Sequence, residues 1–296
     1  EDVLCRDLAA VLRDKDVLSA TEAVLGGGAG RMAEFQISVP PMRHFRTRVE
    51  PLPGHSEGGF AALLTMTDLT DLKRVEQMRA DFVANASHEL RTPLSTLLGF
   101  IETLQESAAD DPETLRSFLP IMQQQATRMA RLIDDLLSLT RIEMNEHLAP
   151  IGQVSLAEGL RSPVRALALR AEARGMRIAL HPPDDPCPVT GDEDQLTQVF
   201  QNLIDNAIKY AAPGTAIAVE AGASARFVDG VAVAVRDSGE GIAPEHLPRL
   251  TERFYRVDTD RSCAAGGTGL GLAIVKHVVN RHRGALEVKS EVGLGS

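Results

Sequence analysis

The sequence predicts a multidomain chain of α and α+β parts: a small α+β unit at the N-terminus, an antiparallel helical hairpin, and a C-terminal α/β two-layer sandwich. Three observations carry this. From about Leu69 to Ser107, apolar residues (Leu72, Val75, Phe82, Ala86, Leu97, Ile101, Leu104) recur at three- and four-residue intervals, the period of an amphipathic helix. In the next segment Leu115, Met122, Met129 and Leu136 repeat every seven residues, as do Phe118, Gln125, Leu132 and Leu139, which makes a heptad seam. Beyond Gln153 short β-type runs alternate with helical ones. With 44% hydrophobic but only 4% aromatic residues and no Trp, the cores must be aliphatic.

The first 70 residues carry helical spacing from Val3 to Leu25, stopped by Gly26-Gly27-Gly28 because successive glycines weaken any helix. Strands are expected at Glu34 to Val39, His44 to Pro51 and Phe60 to Asp68, separated by Pro40-Pro41 and by the stretch from Pro53-Gly54 to Gly59. A helix followed by a three-stranded antiparallel meander, running through Asp68-Leu69-Thr70 into the long helix, resembles the second half of a PAS sensor domain. An ordinary small α+β domain is the alternative reading of the same residues.

Residues 71 to 148 form the hairpin. Asp110-Asp111-Pro112 marks the end of one helix and the start of the next. Two helices with one narrow apolar stripe each cannot bury it alone, so two chains are expected to pair into a four-helix bundle, making a homodimer. Within the first helix, His88 and Thr92 are four apart and share a face, with Glu89 adjacent. Pro93 removes a backbone donor and should bend or loosen the helix just after the histidine. A helix-surface histidine by itself is most often solvated or a cap. The string His88-Glu89-Leu90-Arg91-Thr92-Pro93-Leu94, however, resembles at every position the phosphoacceptor box of bacterial sensor histidine kinases.

After Pro150-Ile151-Gly152, which reads as a linker, residues 153 to 296 should form the sandwich. Helices are expected at Leu156 to Arg174, Gln195 to Tyr210 and Leu270 to Arg283. Strands are expected at Met176 to Leu180, Val189 to Gly191, Ala216 to Ala221, Val231 to Arg236 and Leu286 to Ser290. On the helix from Gln195, Asn202 and Asn206 are four apart, with Lys209 and Tyr210 a turn further. Paired asparagines waste helix propensity. A neutral amide oxygen suits Mg²⁺ and Lys209 suits a phosphate, although ordinary surface amides would look the same. Asp237-Ser238-Gly239-Glu240-Gly241 follows a strand, so that a carboxylate at its end could accept from an exocyclic amine; Asp-Ser-Gly is also a common turn. Gly266-Gly267-Thr268-Gly269-Leu270-Gly271 opens onto a helix, where free N–H groups and the dipole favour an anion. It lacks the Lys-Ser/Thr of a P-loop.

In order and spacing, Asn202 to Tyr210, Asp237 to Gly241, Arg253-Phe254-Tyr255-Arg256 and Gly266 to Gly271 resemble the N box, first glycine box, F box and second glycine box of the histidine-kinase ATP-binding domain. The resemblance covers nearly everything from Arg74 onward and, in its PAS-like lead-in, is similar to the phosphate-regulon sensor kinases. It implies ATP and Mg²⁺ as cofactors, with Asn206 on the metal. Asn202 and Lys209 would lie near the phosphates and Tyr210 and Asp237 at adenine, with the nucleotide pocket completed by Gly239, Gly241, Gly267, Thr268, Gly269, Leu270 and Gly271. Val257 to Gly267 would be a mobile lid. Family members carry a few residues past Ser296 that complete a terminal strand.

The implied chemistry is autophosphorylation of His88 with Glu89 taking the opposite ring proton, then transfer to an aspartate of a response-regulator receiver domain. Thr92, in the pattern Glu-x-x-Thr, would orient water for phosphatase activity. Competing classes are an ATPase of the chaperone and mismatch-repair type and a nucleotide-binding scaffold without turnover. A net charge of -10 argues against nucleic acid and against an anionic membrane surface. Cys5, Cys187 and Cys263 are odd in number and far apart, so they read as free thiols in a reducing compartment. With no apolar run long enough to span a bilayer and no signal peptide, the chain reads as the soluble, cytoplasmic portion of a longer protein whose anchor would lie in the inner membrane, outside it.

Overall fold

The computed structural model describes residues 7–38, 40–52, 61–106, 111–182, 187–257 and 267–296. Expectations for Cys5, Cys263, the turn through residues 53–60, the turn before Asp111 and most of the lid lie outside these. The chain divides into two compact units, Glu1–Asn85 and Ala86–Ser296.

In the first unit the expected single helix is two: α1 (Leu8–Val11) and α2 (Lys15–Leu25). The break follows from Asp14, whose carboxylate accepts from the N–H groups of Asp16 and Val17 and so starts a new helix. Strands β1 (Arg31–Ile37), β2 (Arg43–Leu52) and β3 (Ala61–Asp68) form an antiparallel sheet in that order, as expected. Ala20 and Val24 of α2 pack on Val49, with Ala33, Ala62 and Leu64 around them. Glu34 and Arg46, paired in register, hold each other across β1 and β2 at 2.8 Å.

Helix α3 (Thr70–Glu106) runs unbroken through Pro93, the residue at which a bend or loosening is expected. Pro93 is instead buried in the hairpin. In the second unit, Asp111 caps α4 (Pro112–Met144), accepting from the N–H of Glu113, with Pro112 at the first position, where its missing donor does no harm. Phe100 of α3 lies against Phe118 of α4, ring centroids 4.7 Å apart.

The remainder alternates as expected. Strand β4 (Gln153–Ser155) leads into α5 (Leu156–Glu172), capped by Ser155, and then β5 (Arg177–His181) and β6 (Pro188–Thr190). Helix α6 (Glu193–Tyr210) follows, then β7 (Ala216–Ala223), β8 (Val231–Arg236) and α7 (Gly271–Arg281). The sheet runs β5-β7-β8, with β5 parallel and β8 antiparallel to β7, and β4 pairs with β6 separately. Helix α6 lies between α5 and α7. The core between helices and sheet is aliphatic: Leu160, Ile204, Ile208, Ile217, Val219, Ile274 and Val275 are fully buried, each contributing about 1.5–3 kcal/mol.

One element differs. Leu286 to Ser290 has strand composition but forms no ladder. At its last residue, Ser290 Oγ donates to the Gly295 carbonyl and accepts from the Ile242 N–H.

Candidate active site

Helix α3 presents His88 on an exposed face. Thr92, one turn on, directs its hydroxyl back to the His88 carbonyl at 3.2 Å. Glu89 is more enclosed. Its Oε2 accepts from Arg128 Nη2 of α4 at 3.2 Å and from Arg256 Nη2 at 2.9 Å, a carboxylate between two guanidinium groups. The Arg256 side chain is 4% exposed and also donates to the Gly267 carbonyl at 2.9 Å. Arg256 therefore joins the phosphoacceptor box to the second glycine box.

The nucleotide-type residues come from α6, the end of β8 and the start of α7. Asp192 caps α6 by accepting from the Gln195 N–H, and Glu193, Asp194 and Lys209 sit at the helix ends their charges favour. Asn202 is oriented by this frame toward α7. Its Nδ2 is buried without a hydrogen-bond partner, and a Cβ on Gly271 would lie 3.3 Å from its Oδ1. An orphaned buried amide beside a glycine-rich helix start is the chemistry expected where an anionic ligand is to be received. Gly269 has φ +74°, and a Cβ there would meet the Phe254 backbone at 2.9 Å, so this turn admits only glycine. Lys209 Nζ pairs with Asp205 at 2.7 Å and is 9% exposed, while Arg170 binds the other oxygen of Asp205. Asn206 lies on α6 one turn beyond Asn202, half-buried. Among the described residues, no group of three or more His, Cys, Asp or Glu could hold a metal.

At the other end of α6, Gly239 pairs with Ala211 in an isolated bridge, and a Cβ on it would lie 2.5 Å from the Tyr210 carbonyl. This brings Tyr210, Gly239 and Asp237 together. Burial raises the Asp237 carboxyl above its ordinary range, opposed by backbone hydrogen bonds from Ser296 and Gly239. Gly241 packs against the backbone of Glu291.

Thr268 is buried, 7% exposed, and its hydroxyl accepts from the Leu270 N–H at 3.3 Å while donating to Asp135 Oδ2 of α4 at 2.8 Å. Burial raises the Asp135 carboxyl, against the Thr268 hydrogen bond and the charges of Arg131 and Lys209. Further along α4, Glu143 binds Arg253 at 2.5 Å, and Glu146 binds His277 of α7 at 2.8 Å. Leu132 and Leu139, from the second heptad row, are buried where α4 meets α7.

The residues that sequence reasoning did not single out are Arg128, Asp135, Glu143 and His277, with Arg256 placed only as a member of its box. A signal existed for Asp135: it stands three residues after Leu132 and four before Leu139, a carboxylate on the apolar face of the heptad.

Residues 78–145 match the family model described as His Kinase A (phospho-acceptor) domain, and residues 191–296 match that described as Histidine kinase-, DNA gyrase B-, and HSP90-like ATPase. The phosphate regulon sensor protein PhoR of Pseudomonas aeruginosa is 44% identical over 241 residues, covering 79% of this chain and 52% of that protein. Sensor protein SrrB of Staphylococcus aureus is 35% identical over 247 residues, covering 81% of this chain and 40% of that protein. The chain thus spans about half or less of the length of these relatives. The crystal structure of the histidine kinase ThkA in complex with the response regulator protein TrrA shares the fold, with a TM-score of 0.55 at 21% identity over 96% of this chain and 81% of that one.

Proposed function

As the chain belongs to the sensor histidine kinases, we propose that it transfers the γ-phosphoryl group of ATP to His88 and then passes it to an aspartate of a response-regulator receiver domain. The observation that carries this reading is the exposed imidazole of His88 beside a carboxylate, Glu89, that reaches the Arg256 and Gly267 end of the nucleotide-type site. A ring nitrogen of His88 forms the new bond to the γ-phosphorus as the bond to the β–γ bridging oxygen breaks, and ADP leaves. Glu89 takes the proton from the other ring nitrogen. Positioning and charge neutralisation dominate such a transfer. Glu89 must therefore leave its guanidinium partners, and the linker after Met144 is where the ATP-binding half would turn.

Thr268, Gly269 and Gly271 would receive the phosphates at the start of α7, with Asn202 completing the cradle through its unpaired Nδ2. Lys209 would meet the same charge after exchanging from Asp205. Asp237, with Tyr210, would hold the adenine by accepting from its amine. Asn206 would hold Mg²⁺, which when bound neutralises phosphate charge. Thr92 supports a second activity, hydrolysis of the phosphorylated partner, through a water it orients.

The exposed row of Leu94, Leu98 and Ile101 on α3 with Leu115 and Leu119 on α4 supports pairing of two chains through the hairpin. The α2 and β1-β2-β3 arrangement supports a PAS-like sensor portion over residues 1–70, ahead of a hairpin over 71–148 and an ATP-binding domain over 153–296. The likeness to PhoR supports a place among phosphate-responsive sensors. No helix among the described residues is long and apolar enough to cross a membrane, and a portion that works on ATP and a receiver domain would lie on the cytoplasmic side.

Incubation with γ-labelled ATP tests the central step. Acid-labile, alkali-stable label on the protein, lost in His88→Gln, is the expected result. Free phosphate without protein label would mark a simple ATPase, and neither product would mark a nucleotide-binding scaffold.

A further inference from the structure

Carboxylates of the hairpin stem sit on Thr268, assigned above to polyphosphate, and on Arg256, which holds the neighbouring Gly267 carbonyl. The Thr268 hydroxyl has one proton, and it goes to Asp135 Oδ2 at 2.8 Å. Arg256 Nη2 directs its N–H groups to Glu89 Oε2 and to the Gly267 carbonyl, both at 2.9 Å. An apolar residue would suit position 135, between buried Leu132 and Leu139, if the seam were only structural. A half-buried carboxylate there costs free energy unless it is matched, and its match is a hydroxyl that a phosphate oxygen could equally take. The raised carboxyl of Asp135 agrees with such an incomplete match.

We infer that Asp135, backed by Glu89, is a built-in stand-in for the nucleotide's phosphates: stem and triphosphate compete for the donors at the start of α7, so the docked arrangement disfavours ATP and ATP undocks the stem. This rests on the reading of Thr268 and its neighbours as the phosphate cradle. It adds a regulatory consequence. Binding of ATP frees Glu89, the proton acceptor beside His88, from Arg256, one of its two guanidinium partners. By linkage, whatever stabilises docking lowers ATP affinity by the same factor, and ATP's apparent affinity is reduced by the fraction of molecules docked.

The test titrates the whole 296-residue chain with magnesium plus β,γ-imido-ATP, and separately with adenosine, by calorimetry. Asp135→Ala should bind the imido nucleotide about fivefold tighter or more, with adenosine binding unchanged because adenosine lacks the competing group. In parallel, nitroxide labels at Thr127 of α4 and Arg165 of α5, in a chain whose own cysteines are replaced by serine, should move apart with imido-ATP and not with adenosine. This second arm needs no change at Asp135 and decides the matter if that variant does not fold. Equal affinity in both proteins, equal gains for adenosine, or an unchanged label distance overturns the inference while leaving ATP use intact. Failure of the imido nucleotide to bind either protein overturns both.

Discussion

Single residues show the site working against stability. Asp237 is half-buried, and burial lifts its carboxyl. The sign follows directly: as pH rises through the ordinary carboxylate range the unfolded chain ionises first, so stability is lost on going from acid to neutral pH. Asp237→Asn should therefore raise the melting temperature by about 1–4 °C at neutral pH, and by less near the ordinary carboxylate pKa, while weakening ATP binding about tenfold or more through loss of the charge facing adenine. Scanning calorimetry and nucleotide titration check the two halves. His282 behaves oppositely. Its Nδ1 donates to the Val278 carbonyl and its Nε2 accepts from the Asp192 N–H, so the ring is neutral in the fold, and burial lowers its pKa. Stability from this group is full above the ordinary histidine pKa and falls as pH drops below it, because the unfolded chain protonates first. Denaturant unfolding across pH 5–8 should show that fall, and His282→Gln should flatten it. Asp237 was legible from its place after a strand. His282 was not, because its role depends on a helix end and the start of α6, which are 90 residues apart in sequence.

Among the elements, those with strong period and end signals were legible. Helix α6 follows from its broad apolar face and Asp192 cap, α4 from Asp111-Pro112 and its heptads, and β8 from strict alternation. Two readings missed. Asp14 restarts the first helix, and Leu286 to Ser290, despite its strand composition, forms no ladder. Within the hairpin, Leu132 and Leu139 of the second heptad row are buried, while Leu98 of α3 and Leu119 of α4, which lie outside both heptad rows, stay about half exposed. On the proposed pairing, it is these exposed leucines that would meet a second chain. Replacing Leu98 and Leu119 together by Asp should convert dimer to monomer in sedimentation equilibrium, with the helical circular dichroism largely retained. A chain that is already monomeric before substitution would remove the pairing.

For the whole molecule, sequence order gave the boxes, but not their partners across the fold. Asp135 to Thr268 and Glu89 to Arg256 join residues 133 and 167 positions apart, and no local period encodes such pairs. What can be read locally is a side chain's own chemistry. Which side chain it meets is set by how α4 and α7 pack. On the proposed function, the back half is a nucleotide holder that serves one imidazole. Phosphorus NMR of the chain after incubation with magnesium and ATP tests that most directly: a single phosphoramidate resonance, absent from His88→Gln, is the predicted result, and a protein-bound phosphorus signal that survives in His88→Gln would contradict it.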